Sequence, residues 1–391
     1  MSAALLAELS QLSGSGETEQ VLDRLIAGLQ AEKHFHKLFD ARMLKRKYEL
    51  GLPLTRPTSL SDVPEELRKS CEETYIAAAR EAGAALLAEG DIPGAWMYYR
   101  VIREKEPIAT AILNLPLPSQ QDETAEQIVQ IALYEGVAAA RGVEILLNMQ
   151  GTCSTITTLD QTFQNLSAED RRDCARVMLH SLHADLTENV TREVQQRLAM
   201  LPPGMSLGEL ISGRDWLFEK GNYHIDVSHL NAVVRFARSC ERSEDLQKAL
   251  ELAEYGSRLD PQLQYGGEPP FDDFYPAHRQ FFRALLNQKR DESLQYFRDK
   301  LAQEPDERDK PLLAYVLVDL LVRVESLDEA VDLAEKYLSN LSDDLAISFS
   351  ELCIKAKRFD TLQKVMKDQG DAVGLVAALL SQPRQVESSV S

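Results

Sequence analysis

The densest group of side chains able to ligate a metal or move a proton lies in Tyr223-His224-Ile225-Asp226-Val227-Ser228-His229. Imidazole nitrogens and carboxylate oxygens are ligand types for zinc and iron, and an aspartate can also act as a base. His224, Asp226 and His229 are therefore the candidate metal set, and they carry the alternative reading of the chain as a metal-binding protein or enzyme. Their spacing points to something simpler. The two histidines are five positions apart, well off one helical face, and the four-residue spacing of zinc-binding helices is missing. Asp226 or Ser228, just ahead of a helix beginning near His229, fits an N-cap whose oxygen accepts first-turn amides. His180 and His183 sit three apart on one helix with Asp185 and Glu188 nearby. No second motif completes a tetrahedral set around them, so they read as part of a surface helix. His34 and His36 point to different faces.

Other chemistries lack their motifs. There is no GxxxxGK(S/T) or GxGxxG phosphate loop, no GxSxG elbow and no EF-hand loop, so no cofactor is expected. The formal net charge of −19 opposes phosphate backbones and anionic surfaces, which disfavours nucleic-acid and membrane partners. The basic run Lys45-Arg46-Lys47 alternates with apolar residues on a helix and reads as a solvated face. Cys71, Cys153, Cys174, Cys240 and Cys353 are odd in number and widely spaced, which fits a reducing compartment better than a disulfide framework. The first residues lack a basic n-region, and no run approaches the ~18 apolar residues of a membrane span. A cytoplasmic, soluble protein is the expectation.

The elements that must position these residues are helical. Hydrophobic residues make up 44% of the 391, ample for a core, and they recur at three- and four-residue spacing along most of the chain. The main β-rich exception is Gly151-Thr-Cys-Ser-Thr-Ile-Thr-Thr-Leu-Asp-Gln-Thr-Phe163. In Leu230–Leu263, Val233, Phe236, Ala237 and Cys240 share one helical face, and Leu246, Ala249, Leu250 and Ala253 share the next, with a bend near Ser243–Glu244. Pro261 removes an amide donor and closes the pair.

Ala237, Ala249, Ala253, Gly256 and Pro261 fall at the small-residue and closing-proline positions of the tetratricopeptide (TPR) repeat, which this stretch resembles. The period of that family is about 34 residues. Val233 and Cys240 replace its early aromatic positions, so the copy is degenerate. Residues 76–109 match better, with Gly83, Leu86, Ala95, Tyr99, Ile102 and Pro107 in register and Gly90–Asp91 at the bend. Further copies fall at 274–307, 311–344 and, more weakly, 343–376. The resemblance implies an all-α chain, an α-α solenoid of antiparallel helix pairs. Along the sequence we expect a flexible N-terminus (1–16), a helical region with one repeat (17–115), an irregular helical middle (116–225), a C-terminal array (226–380) and a disordered tail (381–391).

Proteins of this kind bind extended peptides on the face formed by their first helices, so the resemblance implies a protein or peptide partner and a non-catalytic scaffold. The partner's identity and the oligomeric state are not set by the sequence. Mapped by register, candidate partner-binding residues are Arg235, Arg238, Tyr275, His278, Arg279, Phe282 and Tyr315, a mildly basic, aromatic strip suited to an acidic or C-terminal peptide. The Lys/Asn pattern of the carboxylate-clamp members is absent. The same arginines could instead pair with acids on neighbouring helices. The loop 264–276 interrupts the array with Gly-Gly, Pro-Pro and the aromatics Tyr265, Phe271, Phe274 and Tyr275. It reads either as a plug packed over the array or as a set of exposed anchors for a partner.

Overall fold

A computed structural model describes residues 1–14, 18–118, 121–198, 201–338 and 348–382. The regular elements there are helices, with a lone antiparallel bridge between Gly266 and Asp273, so the all-α expectation holds. The stretch 151–163, the most strand-like by composition, is helical too beyond a kink at Gly151, whose φ is 75°. Ile156, Leu159 and Phe163 are buried at helical spacing, and Thr155 and Thr162 satisfy their hydroxyls on carbonyls four residues back. The chain divides into two compact units, Met1–Thr155 and Ile156–Ser391, rather than at the sequence-based boundaries of 116 and 226.

The first unit begins with α1 (Ala3–Gly14), α2 (Thr18–Ala31), α3 (Phe35–Glu49), α4 (Glu65–Ala88) and α5 (Ile92–Val101). It continues through α6 (Glu106–Asn114) and α7 (Glu123–Val129) into α8 (Ala139–Thr162), within which the division falls. Helix α1 replaces the expected loose N-terminus. Its Leu5 is buried against Gly28, where a Cβ would come within 2.5 Å of the leucine, and Arg24 makes two 2.6 Å bonds to Glu8. Phe39 and Met43 of α3 pack on Ala78, Ala79 and Ala82 of α4, whose small side chains permit the close approach. Gly83 lies under Tyr99 in the α4–α5 pair, and Asp91 caps α5. Lys47 is not on a solvated face. It is 1% exposed, with Nζ donating to the Arg56 carbonyl at 2.6 Å.

The second unit holds α9 (Ala168–Arg197), α10 (Leu207–Ile211), α11 (Val227–Phe236), α12 (Ser243–Gly256), α13 (Phe274–Leu285) and α14 (Arg290–Gln303). It ends with α15 (Lys310–Arg323), α16 (Leu327–Tyr337), α17 (Phe349–Lys355), α18 (Phe359–Gln369) and α19 (Ala372–Ser381). Each helix from α11 to α19 packs on its successor. Contacts between alternate helices join α13 to the 237–239 turn and to α15, and α17 to α19. The long α9 lies against α10, α11 and α12. The expected tail lies, past Gln382, outside the described residues.

One device closes many of these helices. Lys33, Gly51, Gly90, Arg103, Asn287, Glu325, Lys357 and Gly370 all have positive φ. The amide of the following residue donates to the carbonyl five positions back, as in Asp91 to Leu86, Ser326 to Leu321 and Arg358 to Cys353, at 2.8 to 3.0 Å. This is the Schellman closure, which satisfies carbonyls that a helix end leaves open and turns the chain sharply into the next helix.

Candidate functional site

The segment 223–229 does not form a ligand set. Asp226 is the N-cap of α11: its Oδ1 accepts from the Ser228 amide at 2.8 Å and the His229 amide at 3.3 Å, and the Ser228 hydroxyl also donates to it. These bonds hold its carboxyl below the usual range. His224 faces elsewhere. Its backbone amide donates to the Tyr255 hydroxyl at 2.8 Å, and that hydroxyl lies 2.9 Å from Nδ1, so the phenolic proton is free to go to the ring nitrogen. Nε2 lies 2.9 Å from the Glu193 carboxylate, off the line of a good hydrogen bond. Asn222 Nδ2 donates to both oxygens of Glu193 at 3.1 and 3.2 Å. Burial pushes the His224 imidazole towards its neutral form, with Glu193 pulling the other way, and burial raises the Tyr255 phenol. Among the described residues no group of three or more His, Cys, Asp or Glu side chains is placed to hold a metal ion.

His180 and His183 point from α9 to α12 rather than to one shared ion. His180 Nε2 lies 2.6 Å from Asp245, and His183 Nε2 lies 2.7 Å from Glu251. Asp245 and Glu251 are only 4% and 6% exposed, so each buried carboxylate is matched by an imidazole. Burial alone would raise the Glu251 carboxyl; bonds from His183, Ser206 and the Gly208 amide outweigh it and leave the carboxyl lowered. Sequence reasoning missed these pairings because the carboxylates lie 65 and 68 positions away.

The 264–276 loop behaves as a plug. Phe271 is stacked on His278 at 4.3 Å between centroids and meets Phe281 and Phe297 edge-on at 6.0 Å. Phe274 lies 4.2 Å from His278 and 5.0 Å from Tyr275. Asp273 accepts from Lys300 at 2.7 Å and from the Tyr296 hydroxyl, fixing the end of the loop to α14. Tyr275 fits over Gly256, where any Cβ would approach its ring to 2.3 Å. Phe271, Phe274, Tyr275, His278 and Phe282 are all buried, which corrects their assignment as partner contacts. A register map counts helix positions, and it could not anticipate that the loop would fold back onto them. Tyr265 remains exposed.

What survives of the strip is a group of arginines where the end of α11, the plug and α15 meet. Arg235 pairs with Asp160 at 2.6 Å. Arg323 donates to the carbonyls of Arg238 (2.7 Å) and Cys240, which ties α15 to the 237–240 turn. Its guanidinium also lies 3.6 Å from Asp319. Arg238 rests over the Phe271 ring at 4.7 Å, and its Nε makes a long 3.4 Å contact to the Arg235 carbonyl. Burial and the Arg235 charge lower the Arg238 pKa to about 10, and burial raises that of Asp319. Yet 27% of the Asp319 side chain meets solvent. Tyr315 faces the same charges and is half-buried. Arg279, also half-buried, has a buried Nε without a hydrogen-bond partner, as do His278 at Nε2 and Tyr275 at its hydroxyl. His278 donates from Nδ1 to the Phe274 carbonyl at 2.7 Å; burial first, then the Arg238 charge, lowers its pKa to about 3.

No helix among the described residues is long and apolar enough to cross a membrane. Comparison with family models, curated proteins and solved structures finds no match to this chain.

Proposed function

We propose that this chain is a non-catalytic interaction scaffold. In this reading α11 to α19 are TPR-like pairs, and a protein or peptide partner lies along the face made by α11, α13 and α15. The observation that carries the reading is the sequential packing of α11 to α19, each helix on its successor, with α13 touching both the 237–239 turn and α15. The three helices are joined through alternate-helix contacts and through Arg323, and the Arg238 and Asp319 side chains keep partial solvent contact. The reading keeps Arg235, Arg238 and Tyr315 as partner contacts and releases the buried aromatics to the core.

The test is photocrosslinking with the full chain in an extract of the cells that make it. A photoreactive residue replaces Val316 on α15 or, as a control, Gln295 on α14. Specific adducts at 316 and none at 295 are expected. Equal labelling at the two positions, or none at 316, overturns the proposal.

A further inference from the structure

We infer that α19 is a self-association face through which two copies of this chain join. The inference stands on the outer surface of α19 and is independent of the face made by α11, α13 and α15. Gly370, at φ 70°, turns the chain out of α18, and Asp371 caps α19 by accepting from the Gly374 amide at 2.9 Å. Gly374 sits beneath Met366 of α18, where a Cβ would approach the sulfur to 2.5 Å, and Ala378 is buried on the same side. The inner side of α19 is thereby fixed on α17 and α18.

The outer side has no cover among the described residues. Val373 is 81% exposed, Leu380 78%, Val376 53% and Leu379 50%, with Ala372 and Ala377 exposed beside them. At about 100° per residue, these six side chains fill one continuous apolar arc of about 160°. Helix α19 carries no charged residue, whereas α16 and α18 each carry several. It also has no following helix among the described residues. The last helix of a stacked array ordinarily turns a polar face to water. An apolar one marks an interaction surface.

Charge and area name the occupant. At a formal charge of −19, copies of this chain repel each other over most of their surface, and the α19 arc lets two of them meet without opposing like charges. The arc offers a foreign partner no ionic group to recognise, but it is complementary to itself. Pairing of the same face on both copies is isologous and closes as a dimer. A lipid surface is disfavoured, because a helix lying on one uses Lys and Arg along its polar face and α19 has neither. Residues 383–391 offer only Val386 and Val390 as large apolar side chains, too few to cover the arc. The arc exposes on the order of 500 Å² per copy, so two copies bury about 1,000 Å², the lower end of specific interfaces. Association is therefore reversible and falls in the micromolar range.

The experiment is sedimentation velocity of the full chain from about 1 to about 100 µM. The mass should rise from monomer towards dimer over this range, and added salt, by screening the like charges, should tighten association severalfold. Leu380→Glu and Val373→Glu, at positions open to water in the single copy, should each weaken it at least tenfold without shifting the thermal melt. Met97→Glu on α5, a residue 65% exposed, should leave it unchanged. In a two-fold pair of either orientation the central residue meets its own copy. Val376→Cys in a Cys153→Ser background should therefore form a symmetric disulfide on mild oxidation. A monomer at every concentration and salt overturns the inference, whether the arc is then covered by another part of the chain or by a foreign partner. So does a dimer indifferent to both glutamate variants, or one in which Val376→Cys fails to crosslink. The scaffold reading is untouched by these results and falls separately, through the crosslinks at position 316.

Discussion

Two polar regions of the second unit make opposite use of the same residue types. At the junction of α9 and α12, buried acids meet histidines: Glu251 with His183, and Asp245 with His180. On α13, polar atoms are deep and left open: His278 Nε2, Tyr275 Oη and Arg279 Nε. A buried polar atom that lacks a partner costs stability, on the order of 1–3 kcal/mol. The first region is thus a structural joint. The second retains a cost. The lesson is that matched acid–histidine pairs here hold two helices together, whereas the open atoms of α13 are tolerated inside an aromatic cluster that supplies its stability by packing.

The strongest way to break this comparison is to remove the ring beneath Arg238. Phe271→Ala should destabilise the chain by about 3–5 kcal/mol, because it empties a site lined by His278, Phe281 and Phe297. Tyr265→Ala in the same loop should stay within about 0.5 kcal/mol, its ring being exposed. Chemical denaturation of the two variants distinguishes a plug from a row of exposed anchors, and similar losses would refute the plug.

Glu251→Gln probes the joint. It leaves His183 facing a neutral amide and should cost about 1–3 kcal/mol by denaturant titration. A change below about 0.5 kcal/mol would show that the joint carries little of the fold.

Acid separates the regions further. His278 is neutral in the folded chain, with its pKa lowered to about 3, whereas an unfolded histidine titrates near 6.5. The unfolded state therefore binds the extra proton first as the pH falls. The His278 contribution is fully present above about pH 6.5 and is lost progressively from there towards pH 3, by at most ~1.4 kcal/mol per pH unit. His278→Phe fits the aromatic surroundings and should flatten the stability profile between pH 6 and 4 by up to that slope. An unchanged slope would mean that His278 takes up its proton without unfolding.

The smallest effect concerns the helix ends. Lys357 carries a left-handed backbone at φ 59°, which a side chain resists and glycine does not. Lys357→Gly should be neutral or stabilising by up to ~1 kcal/mol, whereas Gly90→Ala, at φ 82°, should destabilise by about as much. Thermal melts of both variants check the pair, and destabilisation by Lys357→Gly would show that the side chain matters more than its backbone.

Much of the architecture was legible beforehand, and the reasons are local. The α4–α5 pair could be read from Gly83, Gly90, Asp91 and Tyr99, because a bend glycine, a capping aspartate and a small residue under a ring are contacts within one hairpin. Asp226 as the cap of α11 was equally accessible. Other helix ends were hidden, since Arg103, Glu325 and Lys357 occupy left-handed positions where a glycine signal is expected. The candidate strip was half legible. Its arginines keep partial exposure, but Phe271, Phe274, Tyr275 and Phe282 are buried, because one loop crossing decides which rings stay in water.

By itself, then, the sequence determined the helical class, many of the hairpins and the residue types available to a site. Periodicity, caps and closing residues act over a few positions and leave their mark there. Only the tertiary structure decided that His183 answers Glu251, that Phe271 lies beneath Arg238, and that Arg323 closes the 237–240 turn. Those pairings span tens of residues and depend on how helices stack. No local pattern encodes which buried charge finds its partner and which is left open.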